Sequence, residues 1–290
     1  MSEPKLESLL EILNYSASYL KEKNIESPRL NVELMIADIM NCKRLQLYLD
    51  FEKPLTREEK EKLKGYLRRR ANREPLQYIL GKTNFFGYEI LLNKYVLIPR
   101  QETEILVEKI LTDIYSSSKT KVNIFEIGVG SGCIAVALLS ELKKKGIECV
   151  YHGIDISEDV ISMAKKNLDL NNLKNYRLEI KDFSDEDFEI NEDYDYVVSN
   201  PPYVPIDEYK KLMPEVNKNE PDYAVTDFGD GTKFYRKIFK MYKFRRSNYF
   251  LEIAFDSKDK LEKILSEERI YNYNFEKDYS NNNRVLIIRE

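Results

Sequence analysis

The tetrapeptide Asn200-Pro201-Pro202-Tyr203 is the most specific chemical feature of the sequence, and it directly follows a strand-like run at 194–199. Two successive prolines fix two φ angles and remove two backbone N–H donors, so the loop is rigid and presents carbonyl acceptors. The Asn200 side chain adds a further acceptor. Such acceptors bind the N–H groups of a planar amide or amine, and Tyr203 can pack on its face. The motif therefore predicts chemistry on a planar nitrogen.

An amide nitrogen is a poor nucleophile because its lone pair is delocalised. Hydrogen bonds from its protons to Asn200 Oδ1 and the Pro201 carbonyl would turn the lone pair toward an electrophile and stabilise the charge that develops on nitrogen. Holding two reactants in line supplies up to about 7–11 kcal/mol in favourable cases. The sequence shows no strong general base beside the motif, so we expect the proton to leave to water during or after transfer.

A glycine-rich loop lies between a strand-like run at 122–127 and a helix-like run at 132–145. Glycines let the backbone turn sharply and approach a ligand closely. The dinucleotide fingerprint G-x-G-x-x-G would need glycine where Cys133 stands, so a pyrophosphate cradle is disfavoured. An acid just before the loop would repel phosphate but suits the cationic amino group of a methionine-derived cofactor. The residues that we expect to bind this cofactor are Glu126, Gly128, Val129, Gly130, Ser131 and Gly132.

Acidic residues also follow the next two strand-like runs, as Asp155-Ile156 and Asp182-Phe183. A carboxylate at the end of the second strand can accept hydrogen bonds from both ribose hydroxyls. An acid next to an aromatic residue can hold an adenine, by bonding the exocyclic amine and by packing on the ring. Taken singly, each acid is equally a helix cap or a turn residue. Their order after successive strands favours a nucleoside cofactor.

The elements that position these residues alternate along the chain from Lys121 onward. Alternation of strands and helices predicts a doubly wound, mostly parallel α/β sheet covered on both faces. The last two strands have only a loop between them, which predicts an antiparallel pair. The strand-like runs are 122–127, 149–155, 176–181, 194–199, 248–254, 271–277 and 284–289, and the helix-like runs are 132–145, 158–170, 232–243 and 257–268.

The N-terminal part has a different character, and we predict three domains: 1–80, helical; 81–100, a β-hairpin linker; and 101–290, the catalytic domain. Thr56 and Glu59 form a capping-box pattern at a helix start. Ser27-Pro28 predicts an N-cap followed by proline at the first helical position.

The hairpin prediction rests on residues 84–98, which are apolar, aromatic and β-branched. A cluster of four arginines ends the third predicted helix. It is either a solvated helix end that complements the helix dipole or a contact for an acidic partner or RNA. Its members are Arg68, Arg69, Arg70 and Arg73.

Composition excludes several classes of protein. The net charge of −4 over 290 residues argues against a protein that coats long nucleic acid. Three cysteines without a C-x-x-C pair and a single histidine argue against a disulfide framework or a metal centre, so we expect no metal. The charged start is unlike a secretory signal, and no apolar run is long enough to span a membrane. We therefore expect a cytoplasmic protein without membrane association.

The sequence resembles the protein-(glutamine-N5) methyltransferase family, called HemK or PrmC, over nearly its whole length. The glycine loop is shared by many methyltransferases, and Asn-Pro-Pro-Tyr also occurs in DNA adenine methyltransferases. The Ile-Pro-Arg-x-Glu-Thr-Glu stretch is more restrictive. The segments that carry the resemblance are Arg73–Ile79 with Gly81, Phe85–Gly87, Leu97–Glu104, the glycine loop, Ser199–Tyr203, Glu215-Val216, Glu220-Pro221, Gly229–Gly231 and Tyr235-Arg236.

The resemblance implies an N-terminal helical domain that binds peptide-chain release factors and a C-terminal class I methyltransferase domain. The implied reaction uses S-adenosylmethionine, yields S-adenosylhomocysteine and methylates the glutamine of a Gly-Gly-Gln motif. By matching positions, the resemblance implies cofactor binding by Gly128–Gly132, Asp155 and Phe183. Asn200 would contact both cofactor and glutamine, and Pro201–Tyr203 would line the glutamine slot. We expect a monomer without a stable nucleic-acid partner.

Some positions depart from the family pattern or have no assigned role. Ala254 stands where the family usually has glycine, and the segment 243–248 replaces a glycine-rich turn. Asn281 and Asn283 stand where glycine and aspartate are usual, although asparagine tolerates left-handed backbone well. These departures concern stability and partner fit. Three charged residues have no assigned role and are equally consistent with a structural lip, namely Arg100, Glu102 and Glu104.

Three other functions remain as alternatives. An adenine-N6 nucleic-acid methyltransferase would use the same motif on a flipped base, but it predicts a basic cleft or a large recognition insert, and the sequence offers neither. A non-catalytic module that binds a translation factor would not need the intact Asn200–Tyr203 motif. A nicotinamide dehydrogenase is disfavoured by Cys133.

Overall fold

The computed structural model describes residues 8–186, 188–189, 192–242 and 247–290. The chain forms two compact units. The first comprises Met1–Gly81 with Pro214–Asn219, and the second comprises Lys82–Met213 with Glu220–Glu290. Among the described residues, no helix has the length and apolar character needed to cross a membrane.

The first unit is helical and has its own apolar core. Its elements are α1 (Leu9–Glu22), α2 (Pro28–Ile39), a 3₁₀ turn (Arg44–Leu49), α3 (Arg57–Ala71), α4 (Leu76–Leu80) and α9 (Pro214–Asn217). One side of each longer helix is buried. The core includes Leu9, Leu13, Leu20, Val32, Met35, Ile36 and Leu63.

The two predicted helix starts in this unit had different outcomes. The capping box at α3 is confirmed, because Glu59 N donates to Thr56 Oγ1 at 3.2 Å and Thr56 N donates to Glu59 Oε2 at 2.7 Å. Pro28 is the first residue of α2 as expected. Ser27 occupies the N-cap position as predicted, but it is left-handed (φ 47°) and its side chain makes no cap bond. Asn31 instead donates to the Ser27 carbonyl at 3.0 Å.

Three of the four clustered arginines are paired inside this unit. Arg69 bonds Glu74 at 2.5 Å, and both Arg70 and Arg73 reach Glu215, at 3.0 and 3.3 Å. The Arg70 side chain is buried. These contacts favour a structural role for the cluster, and they tie the segment Pro214–Asn219 to the helical unit.

The second unit contains a seven-stranded sheet of order β5-β4-β3-β6-β7-β9-β8. Its strands are β3 (Lys121–Ile127), β4 (Glu148–Asp155), β5 (Tyr176–Ile180), β6 (Tyr196–Ser199), β7 (Asn248–Glu252), β8 (Tyr273–Lys277) and β9 (Asn283–Ile288). The first five are parallel, and β9 lies antiparallel to both β7 and β8. The predicted doubly wound sheet with an antiparallel final strand is confirmed.

Helices cover both faces of this sheet. They are α5 (Gln101–Ser116), α6 (Cys133–Lys144), α7 (Glu158–Leu170), α10 (Lys233–Tyr242) and α11 (Lys258–Glu267). The short helix α8 (Ile206–Tyr209) belongs to the same unit and buries none of its residues. Helices α5, α6 and α7 pack as neighbours, and α10 packs with α11. Alternate strand residues, among them Phe125, Val197 and Leu251, share one core cluster with Ile238 and Ile264 of α10 and α11.

The strand order reverses between β3 and β6, which brings the two sequence motifs together. Ile127, the last residue of β3, is in register with Ser199, the last residue of β6. The Ser199 hydroxyl donates to the Ile127 carbonyl at 2.7 Å. Ligands of such sheets bind at this switch point, beyond the carboxyl ends of the strands. The glycine loop and the Asn200 loop therefore begin side by side.

The hairpin is shorter than predicted. Its strands are β1 (Lys82–Phe85) and β2 (Tyr88–Leu91), and residues 92–98 form no strand. The strand prediction beyond Leu91 was wrong, because the apolar side chains there, such as Val96 and Ile98, belong to a loop and are buried without forming a strand. The backbone of Leu91 bonds both side-chain atoms of Asn167 on α7, at 2.7 and 2.9 Å.

The departures from the family pattern are accommodated where the structure describes them. Asn281 adopts a left-handed backbone (φ 65°), as expected for asparagine in place of glycine. Asn283 begins β9. The Ala254 carbonyl accepts from the Ser257 amide at 3.1 Å in the turn before α11. Within the segment 243–248, residues 243–246 lie outside the described part of the chain.

Candidate active site

A pocket of about 250 Å³ lies in the second unit and includes residues from the ends of β3, β4 and β6. Two predicted site residues, Gly132 and Tyr203, are not part of its wall. The predicted residues that do line it are Glu126, Gly128, Val129, Gly130, Ser131, Asp155, Ile156, Asp182, Phe183, Asn200, Pro201 and Pro202.

The glycine loop turns with its backbone in left-handed conformations. Gly128, Gly130 and Gly132 have φ of 78°, 55° and 78°. Gly132 lies against α7, because a Cβ there would come within 3.1 Å of the Ala164 backbone. Its role in the structure is thus to let helix α6 start close to α7, while the other two glycines form the wall of the pocket.

Glu126 is wholly buried and faces this pocket. Its Oε2 accepts a hydrogen bond from the Tyr151 hydroxyl at 2.7 Å, and its Oε1 has no hydrogen-bond partner. Burial raises the pKa of Glu126 well above its usual value; the Tyr151 hydrogen bond opposes this rise, and the nearby charge of Asp155 adds to it. A buried carboxylate oxygen without a partner suits a cationic group in the pocket.

Asp155 binds the glycine loop as well as facing the pocket. Its Oδ2 accepts from the Gly130 amide and its Oδ1 from the Ile156 amide, both at 2.8 Å. Burial raises the pKa of Asp155, and these two amides oppose the rise. Each carboxylate oxygen can accept more than one hydrogen bond, so capacity for ligand hydroxyls remains.

Asp182 and Phe183 occupy the next edge of the pocket. Asp182 Oδ1 accepts from the Ser184 amide at 2.7 Å. The Phe183 ring is buried, meets Phe188 edge-on with centroids 5.1 Å apart, and lies parallel to Phe234 at 6.5 Å. This region offers a planar apolar surface next to an acceptor, which suits a nucleobase.

Asn200 reaches the pocket from the end of β6, and its amide orientation is tied to α5. Its Nδ2 donates to Thr103 Oγ1 at 3.2 Å. Thr103 is buried, and it lines the same pocket. With Nδ2 engaged in this way, Oδ1 is the atom of the Asn200 amide that is available as an acceptor.

Tyr203 points its hydroxyl away from the pocket wall, toward the end of β7. It donates to Glu252 Oε1 at 3.1 Å, and its ring packs on the apolar core. Burial, followed by the Glu252 charge, raises the pKa of Tyr203. Tyr203 therefore anchors the loop that carries Asn200.

A second loop, 222–232, braces the first. Val204 N donates to the Val225 carbonyl at 3.1 Å, and Ile206 N donates to the Gly229 carbonyl at 3.1 Å. Gly231 lies so close that a Cβ would come within 2.4 Å of the Tyr203 carbonyl oxygen. The Asn200–Tyr203 loop is thus held by backbone bonds and close packing as well as by its prolines.

The charged residues without an assigned role make structural contacts. Arg100 lines the pocket, but its guanidinium bonds the buried Glu220 at 2.6 Å. Glu104 accepts from the Phe86 amide at 2.7 Å in the hairpin turn. Glu102 is exposed at the first turn of α5. These contacts favour the structural-lip interpretation for Arg100 and Glu104.

Comparison with known proteins identifies the family. The PrmC N-terminal domain matches residues 11–81, and a methyltransferase domain matches residues 118–284. A release factor glutamine methyltransferase of Fusobacterium nucleatum is 38% identical, with 98% of this chain and 79% of that protein covered. One from Thermodesulfovibrio yellowstonii is 33% identical, with 98% of each covered.

The chain belongs to the release factor glutamine methyltransferase family. It is accordingly a methyltransferase that uses S-adenosylmethionine. Among solved structures, the hMettl16 catalytic domain in complex with an RNA hairpin aligns over 94% of this chain and 91% of that one. Its TM-score is 0.50 at 16% identity, so it supports the fold alone.

The pocket fits the cofactor of this methyltransferase family. The unpartnered Oε1 of Glu126 can receive an ammonium group, Asp155 can receive ribose hydroxyls, and the Asp182-Phe183 edge can receive adenine. Among the residues that the structure describes, no cluster of three or more His, Cys, Asp or Glu side chains could hold a metal ion.

Sequence reasoning missed Thr103, which lines the pocket and bonds Asn200, and Glu252, which bonds Tyr203 behind the pocket wall. Thr103 lies in the restrictive stretch that ends at Glu104, but nothing local indicates that it bonds Asn200. Glu252 is the only charged residue in the strand Asn248–Glu252, and an acid at the end of a buried strand was a usable signal.

Proposed function

We propose that this protein transfers the methyl group of S-adenosylmethionine to the side-chain amide nitrogen of glutamine in the Gly-Gly-Gln motif of peptide-chain release factors. The observation that carries the proposal is the placement of Asn200. Its amide lies in one pocket with Glu126 and Asp155, and its Nδ2 is engaged by Thr103. A planar amide at this point would meet an acceptor beside the cofactor pocket.

We propose the following contacts for the cofactor. Glu126 binds its ammonium group, Asp155 its ribose hydroxyls, and Asp182 with Phe183 its adenine. The glycine loop forms the wall beside it. When bound, S-adenosylmethionine supplies an electrophilic methyl group.

The protein groups act on the substrate amide by orientation. Asn200 Oδ1 and the Pro201 carbonyl accept its two N–H hydrogens, which turns the nitrogen lone pair toward the cofactor side of the pocket. The same acceptors stabilise positive charge as it develops on nitrogen. Pro202 lines the slot, and Tyr203 holds the loop through Glu252. The amide proton leaves to water during or after transfer.

The proposal extends to the partner. The N-terminal helical unit binds the release factor, and the protein acts as a monomer in the cytoplasm, without stable binding to nucleic acid. Sedimentation of the purified protein with and without a release factor and with a DNA duplex tests the oligomeric state and both partners.

The decisive experiment measures transfer of labelled methyl groups from S-adenosylmethionine to a purified release factor. We expect label on the wild-type factor and none on a factor whose Gly-Gly-Gln glutamine is replaced by alanine. Asn200→Ala should lower the transfer rate by about 100-fold or more, since one oriented acceptor is typically worth that much. Asn274→Ala, at an exposed position outside the pocket, is the matched control and should transfer at the wild-type rate.

Other outcomes would redirect the proposal. Label on DNA or RNA in place of the factor would support the adenine methyltransferase alternative. Binding of S-adenosylmethionine without transfer to any of these acceptors would support a binding module. Calorimetric titration of Asn200→Ala with S-adenosylmethionine separates a lost acceptor from a misfolded protein.

A further inference from the structure

Glu252 is a buried acid outside the pocket. It ends β7 between β6 and β9, and its side chain is fully inaccessible to solvent. It does not line the pocket. Burying a carboxyl group is costly unless partners compensate. The groups around Glu252 therefore indicate what it does.

Two hydroxyl groups converge on the Glu252 carboxyl group from different elements. Tyr203, in the loop after β6, donates to Oε1 at 3.1 Å. Thr103, on α5, lies near enough to Glu252 to stabilise its charged form. The second carboxylate oxygen, Oε2, is buried and has no hydrogen-bond partner, so it is the acceptor open to the Thr103 hydroxyl.

The single hydroxyl proton of Thr103 decides how Asn200 can bind to it. If the proton points to Glu252, the oxygen is free to accept from Asn200 Nδ2, as the structure shows. If Glu252 cannot accept it, the proton can point to Asn200 instead. The amide would then bind through Oδ1 and turn its NH2 group toward the pocket. A donor there would oppose the N–H groups of a substrate amide.

We propose that Glu252 is a positioning residue: its carboxylate accepts from Thr103 and Tyr203, and so fixes the Asn200 amide with Oδ1 toward the pocket. This inference rests on the proposed function, because it assigns Asn200 Oδ1 the role of acceptor. Glu252 itself does not contact substrate or cofactor. It acts through the two hydroxyls, and its contact with Tyr203 also holds the Asn200–Tyr203 loop in place.

Protonation of Glu252 would release the Asn200 amide from this fixed orientation. Burial raises the pKa of Glu252 to about 7, and the Thr103 and Tyr203 hydrogen bonds and the charge of Arg284 oppose the rise, while Glu102 adds to it. Three other groups lie near enough to interact electrostatically with Glu252 or with its partner Tyr203: Tyr235, Cys133 and Arg100. The pKa values of Tyr203, Tyr235 and Cys133 are raised, that of Cys133 to about 12, so these groups stay neutral near pH 7. Glu252 is thus the titrating group of this cluster.

The first test compares single-turnover methyl transfer by the wild type and Glu252→Gln between about pH 5.5 and about pH 8.5. The wild-type rate should fall as pH drops below about 7, because protonation turns one of the two carboxyl oxygens of Glu252 into a donor. Glu252→Gln should transfer about 10–100-fold more slowly on the plateau, with a flat profile over this range and with the KM for S-adenosylmethionine within about 3-fold.

Glu102→Gln is the matched control for charge alone. It removes an exposed carboxylate next to Thr103 that raises the pKa of Glu252. We expect the wild-type plateau rate and an acid limb displaced slightly to lower pH. An equal loss of rate in Glu102→Gln and Glu252→Gln would show that only net charge matters and would overturn the positioning role.

The second test asks whether Glu252 acts through Thr103. Thr103→Ser keeps the hydroxyl and should retain the rate within about 3-fold, whereas Thr103→Val should lose about as much as Glu252→Gln. The double variant Thr103→Val/Glu252→Gln should lose no more than either single variant. Additive losses would mean that the two residues act independently, contrary to the proposal.

A measurement without release factor keeps this inference separate from the proposed function. Infrared difference spectra, wild type minus Glu252→Gln, report the protonated carboxyl band of Glu252 directly. A band that disappears near pH 7, with a tyrosine band shift that Tyr203→Phe abolishes, supports the assignment even if the true substrate is another amide. Absence of transfer to the factor, with this titration intact, would refute the proposed substrate alone. Absence of the titration would refute the role of Glu252.

Discussion

Two buried glutamates stand at the ends of strands in the same sheet, Glu126 on β3 and Glu252 on β7. Each is fully inaccessible to solvent, and each accepts one hydrogen bond from a tyrosine hydroxyl, at 2.7 Å from Tyr151 and 3.1 Å from Tyr203. Each has a second carboxylate oxygen without a partner. Glu126 lines the pocket, whereas Glu252 lies behind the loop that follows β6.

The difference between the two acids shows how the position of a buried carboxylate decides which partner, ligand or protein, satisfies its charge and hydrogen-bonding capacity. Asp155 raises the pKa of Glu126 further, while Arg284 helps to lower that of Glu252. An acid that faces a pocket, next to a second acid, can bind a cationic ligand. An acid enclosed by protein binds protein hydroxyls and can orient them. This division between ligand binding and positioning has measurable consequences for stability, affinity and rate.

The largest expected effect concerns stability at Glu252. Its pKa rises from 4.5 to about 7 on folding, so the folded protein keeps a proton that the unfolded chain loses. The free energy of unfolding of the wild type should therefore fall between about pH 4.5 and about pH 7, by about 3 kcal/mol at about 1.4 kcal/mol per pKa unit.

Glu252→Gln should lack this loss and become more stable relative to the wild type as pH rises through this window. Urea denaturation at several pH values measures the difference. A constant difference between the two proteins from about pH 5 to about pH 8 would contradict the raised pKa. The same variant is slow in methyl transfer, so stability and activity should change in opposite directions.

Glu126→Gln should weaken the binding of S-adenosylmethionine by about 100-fold, because hydrogen bonds to charged groups are worth about 1.5–3 kcal/mol. Glu252→Gln should leave the dissociation constant within about 3-fold of the wild type, since Glu252 does not line the pocket. Isothermal titration calorimetry measures both. If the two variants lost the same affinity, the separation of the two roles would be wrong.

Two glycines offer a smaller test of the same division. A Cβ at Gly153 would lie 2.4 Å from Val129 Cγ2 in the glycine loop, and one at Gly231 would lie 2.4 Å from the Tyr203 carbonyl oxygen. Gly231→Ala should cost about 2 kcal/mol of stability, because its clash is with backbone and its φ of 83° is strained, and Gly153→Ala about 1 kcal/mol.

The two glycine variants should also separate binding from catalysis. Gly153→Ala should mainly weaken S-adenosylmethionine binding, and Gly231→Ala should mainly slow methyl transfer. Thermal unfolding, calorimetry and a transfer assay on both variants decide the matter. The reverse assignment would show that the two loops do not act separately.

The same comparison explains how much of the site could be predicted from the sequence. Alternating strands and helices specify the parallel sheet, and a parallel sheet brings the residues after β3 and β6 to one edge. The pocket position of Asn200 therefore followed from strand order alone. Tyr203 was expected in the glutamine slot, but its hydroxyl bonds Glu252 because that acid is buried behind the loop.

The residues that sequence reasoning missed depend on long-range contacts. Thr103 and Asn200 are 97 positions apart, and Tyr203 and Glu252 are 49 apart. No local pattern specifies which helix face meets which strand end, since packing of whole elements decides it. The local signal at Ser27 located the N-cap of α2 but not its bonding, since the Asn31 side chain bonds the carbonyl groups before α2 and Ser27 itself turns left-handed.

The smallest expected effect is a proton released when S-adenosylmethionine binds. Burial raises the pKa of Glu126 in the protein without ligand. An ammonium group at Oε1 would lower this pKa and so release any proton that Glu126 carries at the pH of the measurement. The binding enthalpy should then depend on the ionisation enthalpy of the buffer. The slope of this dependence gives the number of protons released, at most about one, and Glu126→Gln should abolish it. Glu252→Gln should keep the wild-type slope, because its carboxyl group is outside the pocket. A slope lost in Glu252→Gln but kept in Glu126→Gln would mean that Glu252, behind the Asn200 loop, releases the proton when the cofactor binds, and would contradict the assignment to Glu126.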